Sequence, residues 1–288
     1  MNIKQKLLPT VLGSAVSMGL GVTSNITLAD DDFYTALTDG KVSFLSRARY
    51  ESVSDDNPSR KDAEAYTIRT TLGYETGAFE GFKGFLEFEN VTALGSEKYD
   101  SNPGPQGKNE YSVIADPDGT EVNQAYLQYN GFDTEFRLGR QELMYRETPW
   151  HRFIGNIVWR QHYQSFDAFT LKNTSLADTQ ISYAYINKIN FILGDDANNA
   201  VFGVEDGSVD MNSHLFNIQY TGLPLGKLEG YGYFLEYDSS LYKTKSNKTV
   251  GVRFSGGQPV NDALNVVYAL EYANQDQYKS GTMDDQNY

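Results

Sequence analysis

The stretch EFRLGRQELMYRETPWHRFIGNIVWRQHYQSFDAFTL, Glu135–Leu171, contains two extended segments and a long connection between them. In the first segment, Thr134–Glu142, Phe136 and Leu138 alternate with charged residues, and Ser165–Lys172 forms the second segment. Alternation with a period of two is typical of a β-strand whose two faces meet different surroundings. The stretch therefore predicts two strands joined by a loop.

The same alternation continues on both sides of this stretch. It predicts about eleven strands, most of them close to the ~9–11 residues of a tilted membrane strand. Besides the two segments above, the predicted strands are Val42–Glu51, Tyr66–Tyr74, Phe82–Val91, Val122–Tyr129, Ile181–Lys188, Phe216–Tyr220, Gly230–Tyr237, Val250–Phe254 and Leu264–Tyr272.

Two architectures fit such strands, a soluble sandwich and a membrane barrel. The apolar face would be the core of the sandwich, whereas it would meet lipid in the barrel. Tyrosines close the apolar face at several strand ends, such as Tyr50, Tyr129 and Tyr220, as in an aromatic girdle. The polar face also holds full charges, which a sandwich core rarely accepts. The sequence therefore predicts an all-β fold, an antiparallel transmembrane up-and-down β-barrel.

The connections support this interpretation because short and long ones alternate, like the turns and outer loops of membrane barrels. The predicted short links are Gly77–Gly81, Gly131–Asp133, Asn173–Ala177, Gly222–Gly226 and Gly256–Asn261. The predicted long links are Ser54–Ala63, Ala93–Gly119, Leu143–Gln164, Asn190–Asp210 and Asp238–Lys248.

The two ends of the chain differ from this pattern. Residues 1–29 have a basic start, an apolar centre and a polar end, which predicts a secretory signal peptide. Residues 30–288 would then form the barrel. Bacterial single-chain barrels have even strand numbers, so eleven strands, with the final KSGTMDDQNY read as an outer loop, predict a barrel that is incomplete at its C-terminus.

Composition excludes several classes of protein. The formal net charge of the 288 residues is −14, which argues against general nucleic-acid binding. There is no cysteine, so the chain has no disulfide, thiolate metal site or cysteine nucleophile.

Charged residues on the predicted inner face are the candidates for function. Arginines on this face suit the passage of anions, including uronate polymers. Alternatively, these arginines pair with carboxylates on neighbouring strands and stiffen the wall, and both roles can hold together. The inner-face candidates are Arg47, Arg49, Arg69, Arg137, Arg253, Glu87 and Glu89.

Strict alternation places Arg140 on the apolar face. A bulge at Gly139 could reset the register there. The loop that follows could contain a short helix near Pro149–Val158, and its arginines, which include Arg152 and Arg160, could fold inward and narrow a pore.

This region resembles the central signature of the alginate-export (alginate porin-like) outer-membrane family. The matching pieces are Leu138-Gly139-Arg140-Gln141, Ile154-Gly155-Asn156, Trp159-Arg160-Gln161 and Ser165-Phe166-Asp167-Ala168. The resemblance implies a monomeric barrel of about eighteen strands with an arginine-rich pore. It also implies that Arg140, Arg152, Arg160 and Asp167 are constriction residues.

The sequence thus predicts a passive channel, not an enzyme, in the bacterial outer membrane. Its expected partners are membrane lipid and anionic or polar saccharides such as alginate or uronate oligomers. Alternatives are a general or differently selective porin, a barrel enzyme using His162 and Ser165, or an adhesin. No cofactor is expected, although Ca²⁺ could bind in outer loops at Asp116–Gly119 or Asp195–Asn199.

Overall fold

A computed structural model describes residues 33–101, 107–146, 152–197, 207–261, 264–282 and 284–287. The predicted signal peptide, residues 1–29, lies outside these ranges. No helix within the described ranges has the length and apolar character needed to cross a membrane.

Twelve strands form one sheet in which each strand neighbours the next one along the chain. The strands are β1 Lys41–Val53, β2 Ala63–Glu75, β3 Phe82–Ala93, β4 Gly119–Gly131, β5 Thr134–Gln141, β6 Ser165–Asn173, β7 Thr179–Asn190, β8 Ser208–Leu223, β9 Gly226–Leu235, β10 Asn247–Asn261, β11 Leu264–Gln277 and β12 Gln286–Asn287. A helix, α1 Phe33–Thr38, precedes them, and a 3₁₀ turn, Lys243–Lys245, precedes β10.

All eleven predicted strands are present, the sheet is antiparallel, and short and long connections alternate as predicted. Two details of the prediction are wrong. Gln286–Asn287 pairs with β11 as a short strand instead of lying in a loop. Gly256–Asn261 is not a link but the end of β10, with a register shift between Pro259 and Asn261. Glycine and proline suggested a turn there, yet both occur in strands at irregular positions.

The two faces of the strands are reversed relative to a soluble protein. On β1 the apolar side chains of Val42 and Phe44 are 69% and 59% exposed, respectively. On β2 the polar side chains of Thr67, Arg69 and Thr71 are buried. A large exposed apolar surface marks contact with a membrane or a partner, so this arrangement agrees with the predicted membrane strand and not with a sandwich.

The chain divides into two compact units. The first comprises Met1–Leu127, Arg140–Phe166 and Asn190–Ser208, and the second comprises Gln128–Gly139, Asp167–Ile189 and Val209–Tyr288. The first unit contains a small apolar cluster, where the ends of β1 and β2 meet the long connection of residues 94–118, formed by Ala63, Ala65, Tyr99 and Ile114 with Val53 against it.

The long connection between β5 and β6, residues 142–164, is called here the third long loop. Its predicted helix near Pro149–Val158 is absent from the described part, which begins at Arg152. Phe153 and Ile157 have φ angles of 67° and 53°. These left-handed conformations interrupt a right-handed helix, and the apolar spacing of the sequence does not reveal them.

Candidate functional site

Four arginines of the first unit lie around the third long loop, and we call Arg47, Arg49, Arg69 and Arg160 the basic cluster. Arg47 on β1 and Arg69 on β2 are direct partners in the strand register. Like charges placed opposite each other on one face repel. The pair therefore requires acceptors from elsewhere, and the third long loop and strand β3 provide them.

Arg47 binds the third long loop through main-chain and side-chain acceptors. Its Nη1 donates to the Val158 carbonyl oxygen at 2.9 Å and its Nε donates to Gln161 Oε1 at 2.9 Å. Nη2 also donates to the carbonyl oxygen of Arg160. A planar guanidinium can make several such bonds at once. Arg47 therefore fixes the path of the loop along β1.

Arg69 is used differently, in a buried ion pair with Glu89 on β3. Its Nε donates to Glu89 Oε2 at 2.5 Å, and its Nη2 contacts the same oxygen. The guanidinium carbon lies 3.7 Å from the centre of the Tyr163 ring, within the range of a cation–π contact. This pairing was one of the two roles that the sequence left open.

Arg49 and Arg160 share two carboxylates. Arg49 contacts Glu51 and lies 3.3 Å from Asp116 Oδ2. Arg160 Nη1 is 3.4 Å from Glu51 Oε2 and 3.8 Å from Asp116 Oδ2, and its side chain is 19% exposed. These are the longer ion-pair distances in the cluster, so the guanidinium of Arg160 is held less closely than that of Arg69.

Two buried residues of the loop, Gln161 and His162, belong to the same site. Gln161 donates from its main-chain nitrogen to Asp116 Oδ1 at 2.8 Å and from Nε2 to Thr67 Oγ1 at 2.8 Å. The His162 ring lies between the Glu89 carboxylate, 2.9 Å from Nδ1, and the Pro117 carbonyl oxygen, 3.0 Å from Nε2.

The sequence interpretation did not include Gln161 or His162 as site residues. It considered His162 only as an enzymatic partner of Ser165. Both ring nitrogens are engaged by Glu89 and Pro117, which leaves none to activate that serine. The run of hydrogen-bonding side chains at residues 160–164, between the apolar Ile157–Val158 and the predicted strand that begins at Ser165, was the available signal.

The surroundings of His162 favour its charged form. Burial by itself lowers the pKa of the imidazole, but the hydrogen bond to Glu89 and the negative charges of Glu121 and Glu89 outweigh burial, so the pKa of His162 is raised above 6.5. Glu121 Oε1 lies 3.9 Å from Nδ1. An opposite charge at this distance stabilises a cation.

A second group of polar residues lies near the base of the same loop. The amide nitrogen of Asn123 bridges two carboxylates, Glu87 Oε1 at 2.8 Å and Glu142 Oε1 at 2.9 Å. Asn156 donates to the other oxygen of Glu142. Burial raises the pKa of Glu142, while the hydrogen bonds from Asn123 and Asn156 act in the opposite direction. Glu87 thus contacts amides instead of the basic cluster.

Two other predicted site residues, Arg140 and Arg152, have contacts outside the basic cluster. Arg140 is half-buried and donates from Nη1 to the Val122 carbonyl oxygen at 3.2 Å. The next residue, Gln141, is buried more completely than Arg140. Gly139, on the other side of Arg140, has a φ angle of 129°. The backbone is therefore irregular at Gly139, although Gln141 keeps the inward position. Arg152 is exposed, with its guanidinium carbon 5.0 Å from the centre of the Phe153 ring.

Three predicted residues belong to the second unit. Arg137 donates from Nε to Gln128 Oε1 at 2.8 Å and lies 3.3 Å from Glu135. Arg253 Nη1 lies 3.5 Å from Glu271 Oε2. Asp167 is half-buried on β6. The structure therefore groups five of the predicted residues, which are Arg47, Arg49, Arg69, Arg160 and Glu89.

The two candidate Ca²⁺ loops contain no metal-binding group in the part of the chain that the structure describes. Asp116 instead accepts the Gln161 main-chain N–H, and Asp118 accepts that of Ala93. Asn198 and Asn199 of the second loop lie outside the described residues.

Taken together, the basic cluster presents guanidinium groups of two kinds. Arg47 and Arg69 are committed to the loop and to a buried carboxylate, and they make the wall rigid. Arg49 and Arg160 share the partly exposed Glu51 and the buried Asp116, so an external carboxylate could exchange with Glu51. Guanidinium groups bind carboxylates with two parallel hydrogen bonds, which is the chemistry that this site offers.

No protein-family model and no curated protein matches the sequence. Solved structures do match. Acinetobacter baumannii OccAB2 is 17% identical, with a TM-score of 0.63 over 88% of this chain and 62% of its own. Pseudomonas aeruginosa OccK2 (OpdF), solved in complex with glucuronate, is 13% identical, with a TM-score of 0.58 over 87% of this chain and 59% of its own. Pseudomonas aeruginosa OpdK with vanillate is 12% identical, with a TM-score of 0.61 over 87% and 61%.

The chain spans between 59% and 62% of the length of these three structures. At 12–17% sequence identity, the similarity to these structures shows a shared fold and nothing more. An antiparallel sheet with sequential strand order, an apolar outer face and a polar inner face agrees with these matches. This chain therefore has the fold of outer-membrane β-barrel channels.

Proposed function

We propose that this chain forms part of a passive channel in the outer membrane of a bacterium, and that the channel passes small anionic saccharides such as uronate oligomers. The basic cluster is the observation that supports this function most. It concentrates four guanidinium groups on the inner face of β1 and β2 and on the third long loop, in a chain with a net charge of −14. An acidic protein that gathers arginines in one place favours an anionic ligand there.

The outer membrane is the proposed location for two reasons. The fold is that of outer-membrane barrels, and the outward side chains of the strands are apolar where a soluble protein would be polar. Leu72, for example, is 52% exposed in the second half of β2. In lipid such a residue is favourable, whereas in water a continuous apolar face would promote aggregation.

The substrate class follows from the guanidinium groups and from two similar folds. Glucuronate and vanillate, with which OccK2 and OpdK were solved, both bear a carboxylate. The resemblance of the third long loop to the alginate-export signature also suggests a uronate. Carboxylates are the partners that match the fork of an arginine side chain.

Arg160 is the proposed contact for the substrate, with Arg49 beside it. Arg160 is the one cluster member that the loop itself supplies, and its ion-pair distances to Glu51 and Asp116 are 3.4 Å and 3.8 Å. A substrate carboxylate would replace a weak contact there. At Arg69 it would have to break a buried pair, which costs far more.

A channel for neutral or mixed oligosaccharides is a second candidate, which the pairing itself favours. Glu89 and Glu51 neutralise part of the cluster. If the arginines contact only these carboxylates, the site contributes shape and not charge selectivity. We propose no catalytic step in either case.

Conductance of the full-length protein in planar bilayers distinguishes the two candidates. Glucuronate oligomers should block the current more strongly than neutral oligosaccharides of the same length. Arg160→Glu should raise the blocking concentration by about ten- to a hundredfold, because a charge-assisted hydrogen bond contributes about 1.5–3 kcal/mol. Arg60→Glu, the same charge change on an exposed turn, is the control. Glucuronate oligomers should block this variant at the same concentration as wild type.

Two results would contradict these proposals. Equal block by charged and neutral oligosaccharides, unchanged in Arg160→Glu, would reject the anionic substrate and retain a porin. Absence of any conductance in the full-length protein would reject the channel.

A further inference from the structure

His162 has a hydrogen-bond arrangement that only the charged imidazolium can satisfy. Its two ring nitrogens face the Glu89 carboxylate and the Pro117 carbonyl oxygen, at 2.9 Å and 3.0 Å. A neutral imidazole has one N–H and one lone pair. Its lone pair would therefore point at an acceptor, whereas the imidazolium donates to both.

The Glu89 carboxylate is in turn fully used as an acceptor. Oε1 accepts from His162 Nδ1 and from the main-chain N–H of Tyr163 at 3.2 Å. Oε2 accepts from Arg69. The Arg69 guanidinium and the Tyr163 N–H both stabilise a negative charge on Glu89, so we assign the proton of the Glu89–His162 hydrogen bond to the ring.

Charged groups approach His162 from each element packed around it. Strand β3 supplies Glu89 and strand β4 supplies Glu121. Strand β2 supplies Arg69, which lies behind Glu89, and the connection of residues 94–118 supplies Asp116, which binds the neighbouring Gln161. Two carboxylates thus lie within 4 Å of the ring, and Arg69 is already paired with one of them.

The ring connects more than one loop. Pro117 belongs to the connection that precedes β4. Glu121 Oε1 also accepts the main-chain N–H of Asp195, in the connection of residues 191–207, at 3.0 Å. His162 itself belongs to the third long loop, two residues after Arg160. Protonation of one buried side chain, which is 0% exposed, therefore affects contacts of three long connections.

We propose that His162 is a positioning residue, whose imidazolium holds the end of the third long loop that bears Arg160 on the inner face, and whose deprotonation releases it. Only one part of this inference rests on the proposed function, namely that release of the loop changes the ion selectivity of the channel. The release of the loop does not depend on what the channel passes.

The direction of the effect follows from the sign of the shift. A histidine whose folded-state pKa is above its unfolded value contributes stability that is fully present below about 6.5 and is lost as the pH rises through the folded value. The raised pKa of His162 agrees with this direction. The loop is therefore held at low pH and released at higher pH.

Tryptophan fluorescence reports on this loop alone, because both tryptophans of the chain, Trp150 and Trp159, belong to residues 142–164. The full-length protein in detergent micelles should show one emission change as the pH rises above about 6.5, the ordinary pKa of a histidine. His162→Gln, which stays neutral, should lose that change and emit at every pH like wild type at high pH.

Two further variants make the result specific. His214→Gln removes a histidine of β8 that hydrogen-bonds Tyr183, and it should keep the wild-type transition. Glu121→Gln removes a negative charge beside the ring while keeping an oxygen for Asp195. It should keep the transition but move its midpoint to lower pH, and it serves as the test if His162→Gln does not fold.

The same samples in bilayers separate this inference from the proposed function. We expect the preference for anions over cations to fall across the fluorescence transition in wild type and to stay at its high-pH value in His162→Gln. A transition that persists in His162→Gln, that is absent from wild type, or that Glu121→Gln leaves unmoved overturns the inference. A transition that behaves as expected in a protein without conductance overturns the channel and leaves the loop inference intact.

Discussion

Arg69 on β2 and Glu89 on β3 form an ion pair in which Arg69 Nε and Glu89 Oε2 are 2.5 Å apart, with only 4% and 2% of the two side chains exposed. They are not direct partners in the register, because Glu89 lies opposite Thr71. The pair is therefore diagonal across two strands. Tyr163 covers the guanidinium and His162 binds the carboxylate, so the third long loop depends on this pair.

Removing one partner should be strongly destabilising. Glu89→Gln leaves Arg69 and the His162 imidazolium without their anion, and we expect the free energy of unfolding to fall by about 3–5 kcal/mol, the usual effect of an uncompensated buried charge. Denaturant unfolding in lipid vesicles measures this. Lys83→Met, which breaks the half-exposed pair with Glu75, should change stability by less than about 1 kcal/mol. If the two variants lose the same free energy of unfolding, the Arg69–Glu89 pair contributes no more to stability than a pair at the surface, and the prediction is wrong.

Arg47 and Arg160 should differ in what they control. Arg47→Gln removes donors to Val158, Arg160 and Gln161, so the third long loop should become accessible to trypsin and the single-channel current should fluctuate more. Arg160→Gln should leave proteolysis unchanged and alter only ion selectivity. If Arg160→Gln loosens the loop as much as Arg47→Gln does, the assignment of structural and substrate-binding roles is wrong.

The outward face can be tested with a single residue. Leu72 is 52% exposed on β2, and Leu241 is 47% exposed in a long connection. Leu72→Arg should destabilise the protein by about 1–3 kcal/mol, because the strand would place a charge in lipid between the midplane, where the cost is ~2–4 kcal/mol, and the interface, where it is ~0–1 kcal/mol. Leu241→Arg should remain within about 0.5 kcal/mol of wild type. In a water-soluble protein both changes would be harmless, and that result would reject the membrane assignment.

Glu142 should give stability a pH dependence of its own. Because burial raises its folded-state pKa above 4.5, its contribution is present below that value and is lost as the pH rises through the folded pKa. Glu142→Gln should remove this loss, so the variant should gain on wild type as the pH increases. Asn156→Ala, which removes a donor to the ionised form, should enlarge the loss. Parallel stability profiles for wild type and Glu142→Gln would contradict this account.

The sequence by itself determined the strands, their faces and the order of short and long connections. Alternation is a property of neighbouring residues: in β1 and β2 every second side chain points to the same side, so the exposure of Val42 and the burial of Arg69 can be read without knowing any partner. The candidate arginines of β1 and β2 were found for the same reason.

Only the tertiary structure decided which of these charges meet. His162 and Glu89 are 73 residues apart, and their contact depends on the strand register and on the path of a loop whose left-handed residues, Phe153 and Ile157, the sequence does not reveal. The role of a buried polar residue depends on the groups to which it hydrogen-bonds. When those groups are distant in sequence, only the fold brings them together. For this reason the polar run after Trp159 could be noticed in the sequence, while its role in holding the basic cluster required the structure.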